Sequence, residues 1–395
     1  MSYELHLIER VREVPREEWD ALVGPGDSPF VEWTWLDALE TSGCVGRGTG
    51  WAPCHVTLRD GQSRLVAAAP AYLKSNSEGE FVFDYAWADV ADRMGLSYYP
   101  KLIVAVPFTP ATGARILTRP DAPDAADAKG AKAGADNAEG ADRATLIAAI
   151  VRALPSIAPQ LTASGVHALF TTEEQTQSFV SSGYTERYGV QYHWRNHGYA
   201  NIEDFLRDLP SKKRTQLRRE MRQPERDGVL IETLAPDAYT AETVREMFSL
   251  YRSTVEKFHW GRQYLNLEFF RKIAADFRHR LSWVVARREG EIIAGAFNVK
   301  NDHRLYGRYW GTKTDMPFLH FNVCYYHGIR QCIDEGLEVF EPGAGGEHKR
   351  VRGFEPTLTY SAHWIAHDHL RRIVAAHLAR ERDGLMRYVE SERSS

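Results

Sequence analysis

Leu281-Ser282-Trp283-Val284-Val285-Ala286-Arg287-Arg288-Glu289-Gly290-Glu291-Ile292-Ile293-Ala294-Gly295-Ala296-Phe297-Asn298-Val299 carries the clearest fold signal in the chain. Two runs rich in β-branched and aromatic residues flank a Glu289-Gly290 turn, which is the pattern of a hairpin. Leu305-Tyr306-Gly307-Arg308-Tyr309-Trp310 reads as a third strand. Tyr325, Ile329, Cys332, Ile333 and Leu337 then recur at helical spacing, and Glu338-Val339-Phe340-Glu341 is a short strand. The order is strand, strand, strand, helix, strand.

The N-terminal half repeats this order. Pro53–Arg59, an Asp60-Gly61 turn and Leu65–Leu73 form a similar hairpin. Phe81-Val82-Phe83-Asp84-Tyr85 is expected as the third strand, a helix runs near Asp89 to Met94, and Lys101–Val106 closes the series. Small residues in the second strand of each hairpin, Ala67 to Ala69 and Ala294 to Ala296, predict that something packs closely there.

The chain has 395 residues, the size of two domains rather than one. The boundaries expected are 1–190 for the first and 191–395 for the second. Residues 119–142, built from Ala, Asp, Gly, Lys and Pro, cannot bury enough apolar area to offset their ordering entropy, so a flexible insertion is expected there. Hydrophobic residues are 43% and charged residues 26%, the balance of a soluble globular protein. No run approaches the ~18 apolar residues of a membrane span, and the N-terminus lacks the order of a signal peptide, so a cytoplasmic location is expected. Cys44, Cys54, Cys324 and Cys332 have no CxxC spacing and read as reduced packing residues. A net charge of −4 offers no global attraction for polyanions; a nucleic-acid contact would need a local patch.

The last short strand opens into Gly343-Ala344-Gly345-Gly346-Glu347-His348-Lys349-Arg350-Val351-Arg352-Gly353-Phe354. Glycines allow close backbone approach, and an acid, an imidazole and a cation stand beside them, which is a site-like composition. A solvated surface loop has the same composition. His367-Asp368-His369 holds two imidazoles without a convincing ligand set, so no metal site is expected and the segment reads as a turn into a C-terminal helix.

A mixed sheet with antiparallel strands followed by a helix and a parallel strand resembles the Gcn5-related N-acetyltransferase (GNAT) core, and two such cores in one chain resemble the Fem-type aminoacyltransferases. The implied class is α/β with tandem GNAT-like domains. Leu209–Glu220 is similar to the basic helix that opens the second Fem domain, and Gly346–Phe354 to the Fem motif of lysine and phenylalanine. Phe83–Asp89, Tyr98–Leu102, Val106–Pro110, Leu305–Gly311, Pro317–Phe321 and Gly346–Lys349 are similar to a FemAB-like bacterial family labelled as peptidoglycan biosynthesis or recognition proteins.

The resemblance implies amide formation by acyl or aminoacyl transfer onto an amine, without a covalent enzyme intermediate. Such a reaction needs oxyanion donors and a group to take the amine proton. Lys349 or Arg352 is expected in the first role and Glu347 or His348 in the second, with Tyr309 and Arg308 orienting the acceptor and Phe354 beside them. In the first domain Asp84, Trp87, Asp89, Tyr99 and Lys101 are expected to hold the amine-bearing substrate. The alternative for each is an aromatic core with a capping Asp89.

The donor divides the possibilities. A pyrophosphate loop of the form Arg/Gln-x-x-Gly-x-Gly/Ala occurs at Arg47–Ala52 and Arg195–Ala200, but at neither strand-to-helix junction, which favours a donor other than acyl-CoA. Ser211 reads as an N-cap, and the helix behind it carries Lys212, Lys213, Arg214, Arg218, Arg219 and Arg222 against one acid, Glu220. Lys212, Lys213, Arg214 and Arg218 are expected to bind aminoacyl-tRNA phosphates. A solvated face paired with Glu203, Asp204, Glu220 and Glu225 is the alternative. No heptad run marks the coiled-coil arm of some Fem enzymes. No resident cofactor is expected; aminoacyl-tRNA or acyl-CoA would enter as co-substrate. An acyl-CoA-dependent N-acyltransferase and a non-catalytic protein that recognises peptidoglycan fragments are the alternative functions.

Overall fold

A computed structural model describes residues 3–119, 142–257 and 262–393. The insertion expected at 119–142 lies almost wholly outside the described residues. In chain order the strands are β1 (Tyr3–Ile8), β2 (Trp51–Pro53), β3 (His55–Asp60), β4 (Leu65–Ala69), β5 (Ala71–Lys74), β6 (Lys101–Val104), β7 (Leu117–Thr118), β8 (Gly165–Thr171), β9 (Thr185–Arg195), β10 (Val229–Thr233), β11 (Val284–Arg288), β12 (Glu291–Lys300), β13 (Arg304–Thr312), β14 (Val339–Glu341) and β15 (Glu355–Ile365). The helices that matter below are α1 (Tyr85–Arg93), α2 (Arg143–Ile157), α3 (Ser211–Arg226), α4 (Ala241–Lys257), α5 (His327–Glu335) and α6 (Asp368–Arg393).

Two compact units form: Met1–Gly189 with Leu358–Glu390, and Val190–Thr357 with Ser391–Ser395. Most of the C-terminal segment expected in the second domain therefore belongs to the first unit. The reason is strand pairing: β15 runs antiparallel to β8, with Tyr360 opposite Thr171 and Ile365 opposite Gly165. Leu370, Val374 and Leu378 of α6 then pack on Trp87, Ala91 and Tyr98.

In the second unit the decisive hairpin forms as expected. Glu289 and Gly290 both take positive φ, 54° and 85°, the two-residue turn whose twist matches the strands it joins. β10 to β13 pair antiparallel in sequence order, α5 follows, and β14 returns parallel to β13. Small residues admit α4: a Cβ on Gly295 would stand 2.9 Å from Met247 Sδ, and one on Gly311 would overlap the Leu250 carbonyl.

The first unit repeats this order, but with other segments than those its sequence suggests. Phe81–Tyr85 forms no strand; Phe81 takes a positive φ of 59° and the segment runs into α1. The third strand is instead β6, antiparallel to β5, and α2 crosses over to β8, which lies parallel to β6. Pro70, which has no N–H to give a ladder, divides the run Leu65–Leu73: β4 pairs with β3, whereas β5 pairs with β2 and β6. The continuation of α2 to Leu161 is long and apolar enough to cross a membrane by length and composition, against the expectation of no such run. In this fold Leu146, Ile147, Ile150, Val151 and Leu154 bury it in the first unit's core.

Candidate functional site

The parallel pair β13 and β14 holds together only from Arg304 opposite Val339 to Tyr306 opposite Glu341. β13 continues to Thr312 while β14 stops before Pro342, and on its other side the β12 register shifts at Phe297/Asn298. A wedge opens where the strands part. It contains a cavity of about 170 Å³ whose walls include Asn298, Arg308, Tyr309, Trp310, His320 and Tyr325. Gly307 fits because a Cβ would press on Pro342 at 3.1 Å. Thr254 of α4 closes one side by donating to the Trp310 carbonyl at 2.6 Å. The wide π-turn Asn322–Tyr326, just before α5, brings Cys324 and Tyr325 to the cavity.

Arg308 and Tyr309 both line this cavity. The Arg308 guanidinium lies 5.6 Å from the Tyr309 ring centre, and Tyr309 packs edge-on to Tyr251 at 4.8 Å. Burial pushes the Arg308 pKa down, with Tyr309 and Glu341 opposing. His320 lies 4.3 Å from the Trp310 ring; burial, then His348, Lys349 and Arg352, push it down to about 4, so it is neutral near pH 7.

The glycine loop follows β14. Gly343, Gly345 and Gly346 take φ of 91°, 72° and 90°, values open to glycine, and a 3₁₀ turn, Glu347–Arg352, follows. Lys349 is only 2% exposed. Its ammonium donates to the Gly343 carbonyl at 2.7 Å, and burial pushes its pKa down to about 8, opposed by Cys324. The His348 ring meets the Tyr325 hydroxyl at 2.9 Å through Nε2, and burial, then Lys349 and Arg352, lower its pKa. Glu347 falls in the turn, and its side chain lies outside the described structure.

Arg352 does not stand ready for an oxyanion. Its Nη2 donates to both oxygens of Glu220, at 2.9 and 3.1 Å, its Nη1 donates to the His348 carbonyl at 2.8 Å, and the guanidinium lies 3.3 Å from the Phe321 ring centre. Glu220 is 1% exposed and also accepts from Gln216 and Tyr326. Arg352 is thus a clasp between loop and helix, because a buried guanidinium is tolerated only when its donors are matched. Phe354 is core as well, packed on Tyr325 and Phe340, rather than a substrate contact.

In the first unit, Asp84, Lys101 and Tyr99 come together but close on themselves. The buried Lys101 ammonium donates to Asp84, to Glu80 at 2.9 Å and to Ser77 at 3.0 Å; Tyr98 donates to Asp84 at 2.6 Å, and the Tyr99 hydroxyl meets Ser77 at 2.7 Å. Burial works against the Lys101 charge, but Glu80 and Asp84 outweigh it and its pKa is raised. A lysine buried on a strand needs those carboxylates to stay charged, which is why this cluster turns inward. Trp87 is core, with His363 edge-on at 4.9 Å. Asp89 is on the exposed side of α1, away from the cluster, and Asp84 occupies the N-cap position.

The basic helix α3 begins one residue early: Pro210 is its N-cap and Ser211 is already helical, so Ser211 does not cap it. The four cations expected to act together do not share one face. Lys212 is exposed, Lys213 and Arg214 are half-buried, Arg214 donates to the Arg207 carbonyl, and Arg218 pairs with Glu203. The exposed stripe consists of Lys212, Arg219, Arg222 and Arg226. Glu220 is hard to recognise from sequence because it sits within a charge run. Its signal is spacing: Leu217, Glu220 and Pro224 are the buried residues of α3 and lie on one face. His320 and Tyr325 escape sequence reasoning as site residues because their aromatic surroundings read as core.

A family model described as FemAB-like, peptidoglycan biosynthesis/recognition, matches residues 10–395. The chain belongs to the FemAB-like family. Among solved structures, FemX is 11% identical with a TM-score of 0.53, covering 95% of this chain and 100% of that one. The C-terminal domain of a putative lysylphosphatidylglycerol synthetase from Agrobacterium fabrum is 12% identical with a TM-score of 0.52, covering 92% and 95%. These likenesses establish that this FemAB-like chain shares their fold. No curated protein matches its sequence.

Proposed function

We propose that this FemAB-like protein forms an amide bond by transferring an acyl or aminoacyl group onto an amine, and that the second-unit wedge is the working site. The observation that carries the reading is the cavity where β13 and β14 part, followed in the chain by a glycine loop whose Lys349 is buried and held by a backbone carbonyl. Arg308 and Tyr309 orient the acceptor in the cavity, the Lys349 ammonium offsets charge on the oxyanion, and the amine proton leaves on the His348 side. The neutral ring of His320 leaves the entering amine unprotonated by its neighbour.

The donor in this reading is aminoacyl-tRNA. The exposed stripe Lys212, Arg219, Arg222 and Arg226 supports it, as does the strand-to-helix junction, which ends in Phe318 at φ 63° rather than in a glycine-rich phosphate cradle. The acceptor is a cell-wall precursor or a small amine-bearing metabolite.

The test is binding of purified protein to total aminoacylated tRNA, deacylated tRNA and acetyl-CoA at low and moderate salt. Two variants run in parallel: Lys212, Arg219, Arg222 and Arg226 all to Ala, and Lys213 and Arg214 to Ala. Salt-sensitive tRNA binding that disappears in the fourfold variant and persists in the double variant supports the reading. Tight acetyl-CoA binding without tRNA binding replaces it with a CoA-dependent acyltransferase. Binding to neither makes recognition of peptidoglycan fragments the leading function.

A further inference from the structure

We infer that the group which takes the amine proton inside the wedge is Tyr325, and that His348 is its relay to solvent rather than the base that meets substrate. The inference rests on the transfer reading of the same site. Tyr325 lines the cavity, whereas His348 does not; the imidazole meets the Tyr325 hydroxyl at 2.9 Å. His348 is exposed on its other side, and Tyr325 is buried. The two rings therefore join the cavity wall to bulk water through one hydrogen bond.

The surroundings fit that direction of flow. The described groups facing His348 are Tyr325, His320 and Phe321 from the helix side, and Lys349 and Arg352 from its own turn. All the charges among them are positive, so the imidazole rests neutral with a lone pair to offer and gives up a captured proton readily. Burial, with Cys324 adding to it, keeps the Tyr325 hydroxyl protonated far above the ordinary phenol range. Tyr325 thus has a proton to pass on and gains one in the same event, never resting as a phenolate. Arg352, held by Glu220, fixes the His348 carbonyl and so the ring's approach.

In the transfer step the amine lone pair forms the C–N bond while the carbonyl π pair moves to oxygen. The amine N–H proton goes to Tyr325 Oη as the Oη–H proton goes to His348 Nε2. Collapse of the oxyanion breaks the bond from the acyl carbon to the donor oxygen, or sulfur for a thioester; that leaving atom takes a proton from water, and the imidazolium returns one to water.

Two measurements decide it. In ¹⁵N-histidine-labelled protein, the His348 Nε2 resonance should be that of a hydrogen-bond acceptor, and Tyr325→Phe should shift it and raise the His348 pKa. In transfer assays with total aminoacyl-tRNA or acetyl-CoA as donor and a lysine-containing muramoyl pentapeptide or glucosamine as amine, Tyr325→Phe should lower kcat about 100-fold, the scale of one proton-transfer group, with little change in KM. His348→Gln should lower kcat less and abolish the acidic limb of the pH–rate profile. An unmoved His348 resonance in Tyr325→Phe overturns the dyad whatever the activity. An active wild type with an equally active Tyr325→Phe of unchanged pH profile overturns the catalytic role. A wild type that transfers from no donor while the resonance still shifts overturns the transfer reading, and the catalytic role with it.

Discussion

Replacing Glu220 by Gln tests whether the glycine loop is held by a buried ion pair. Glu220 and Arg352 are 1% and 5% exposed, with both carboxylate oxygens on one guanidinium nitrogen. Removing one charge leaves the Arg352 cation buried among Phe321 and Tyr326 without its counter-charge, a loss of about 3 to 5 kcal/mol. At about 1.4 kcal/mol per decade, even the lower figure multiplies the unfolded population by more than 100-fold. Removing both charges, with Glu220→Gln combined with Arg352→Met, relieves that burden, so the double variant should recover at least about half of the loss. Urea unfolding followed by tryptophan fluorescence, fitted for all four members of the cycle, gives the coupling energy. A loss below about 1 kcal/mol for Glu220→Gln, or additive single effects, would refute the burial of this pair and with it the clasp on His348.

Further outcomes follow from other parts of the fold. Gly311→Ala should cost about 3 kcal/mol or prevent folding, because its methyl would overlap the Leu250 carbonyl; a wild-type melting temperature would remove α4 from the wedge wall. Burial, then Lys101, push His167 down to about 3, with Asp84 opposing, so below pH 6.5 the unfolded chain takes a proton that the folded one refuses. Stability from this group is intact above pH 6.5 and should fall by about 2 kcal/mol at pH 5, although Glu80, raised by burial to about 7, works in the opposite sense. The informative quantity is thus the difference in urea midpoint between wild type and His167→Asn at pH 7 and pH 5; equal pH slopes would discard the depressed pKa. For tRNA, each phosphate that the exposed stripe of α3 no longer neutralises should reduce the slope of log K against log salt by about 0.7 to 0.9, and an unchanged slope in the fourfold variant would move the docking face elsewhere.

Local pattern makes the second unit legible. Alternating apolar runs, a two-residue turn containing glycine and helically spaced Ile329, Cys332 and Ile333 each point to one element. The first unit is harder because Phe81–Tyr85 has the composition of a strand, while what excludes it is a backbone turn at Phe81 that no periodicity encodes. The parallel partner of β6 lies beyond the insertion, so the order of neighbouring segments does not point to its crossover helix. At the site, residue type suggests Lys349, His348, Arg308 and Tyr309, but not the partition between them. Whether an arginine points at a ligand or at a carboxylate such as Glu220 depends on which helix face meets the loop. That is settled by tertiary packing.

The return of Leu358–Ile365 to pair with β8 sets an order on synthesis. As the chain leaves the ribosome N-terminus first, the strands β10 to β14 are all exposed before the last strand of the first unit exists. The first unit therefore gains its last strand only after β10 to β14 are made, with β8 waiting at an open edge until then. A fragment cut near residue 190 would keep that edge bare and lack the helix that covers Trp87 and Tyr98. The two halves of the chain are thus not two separable pieces, whatever their repeated strand order suggests.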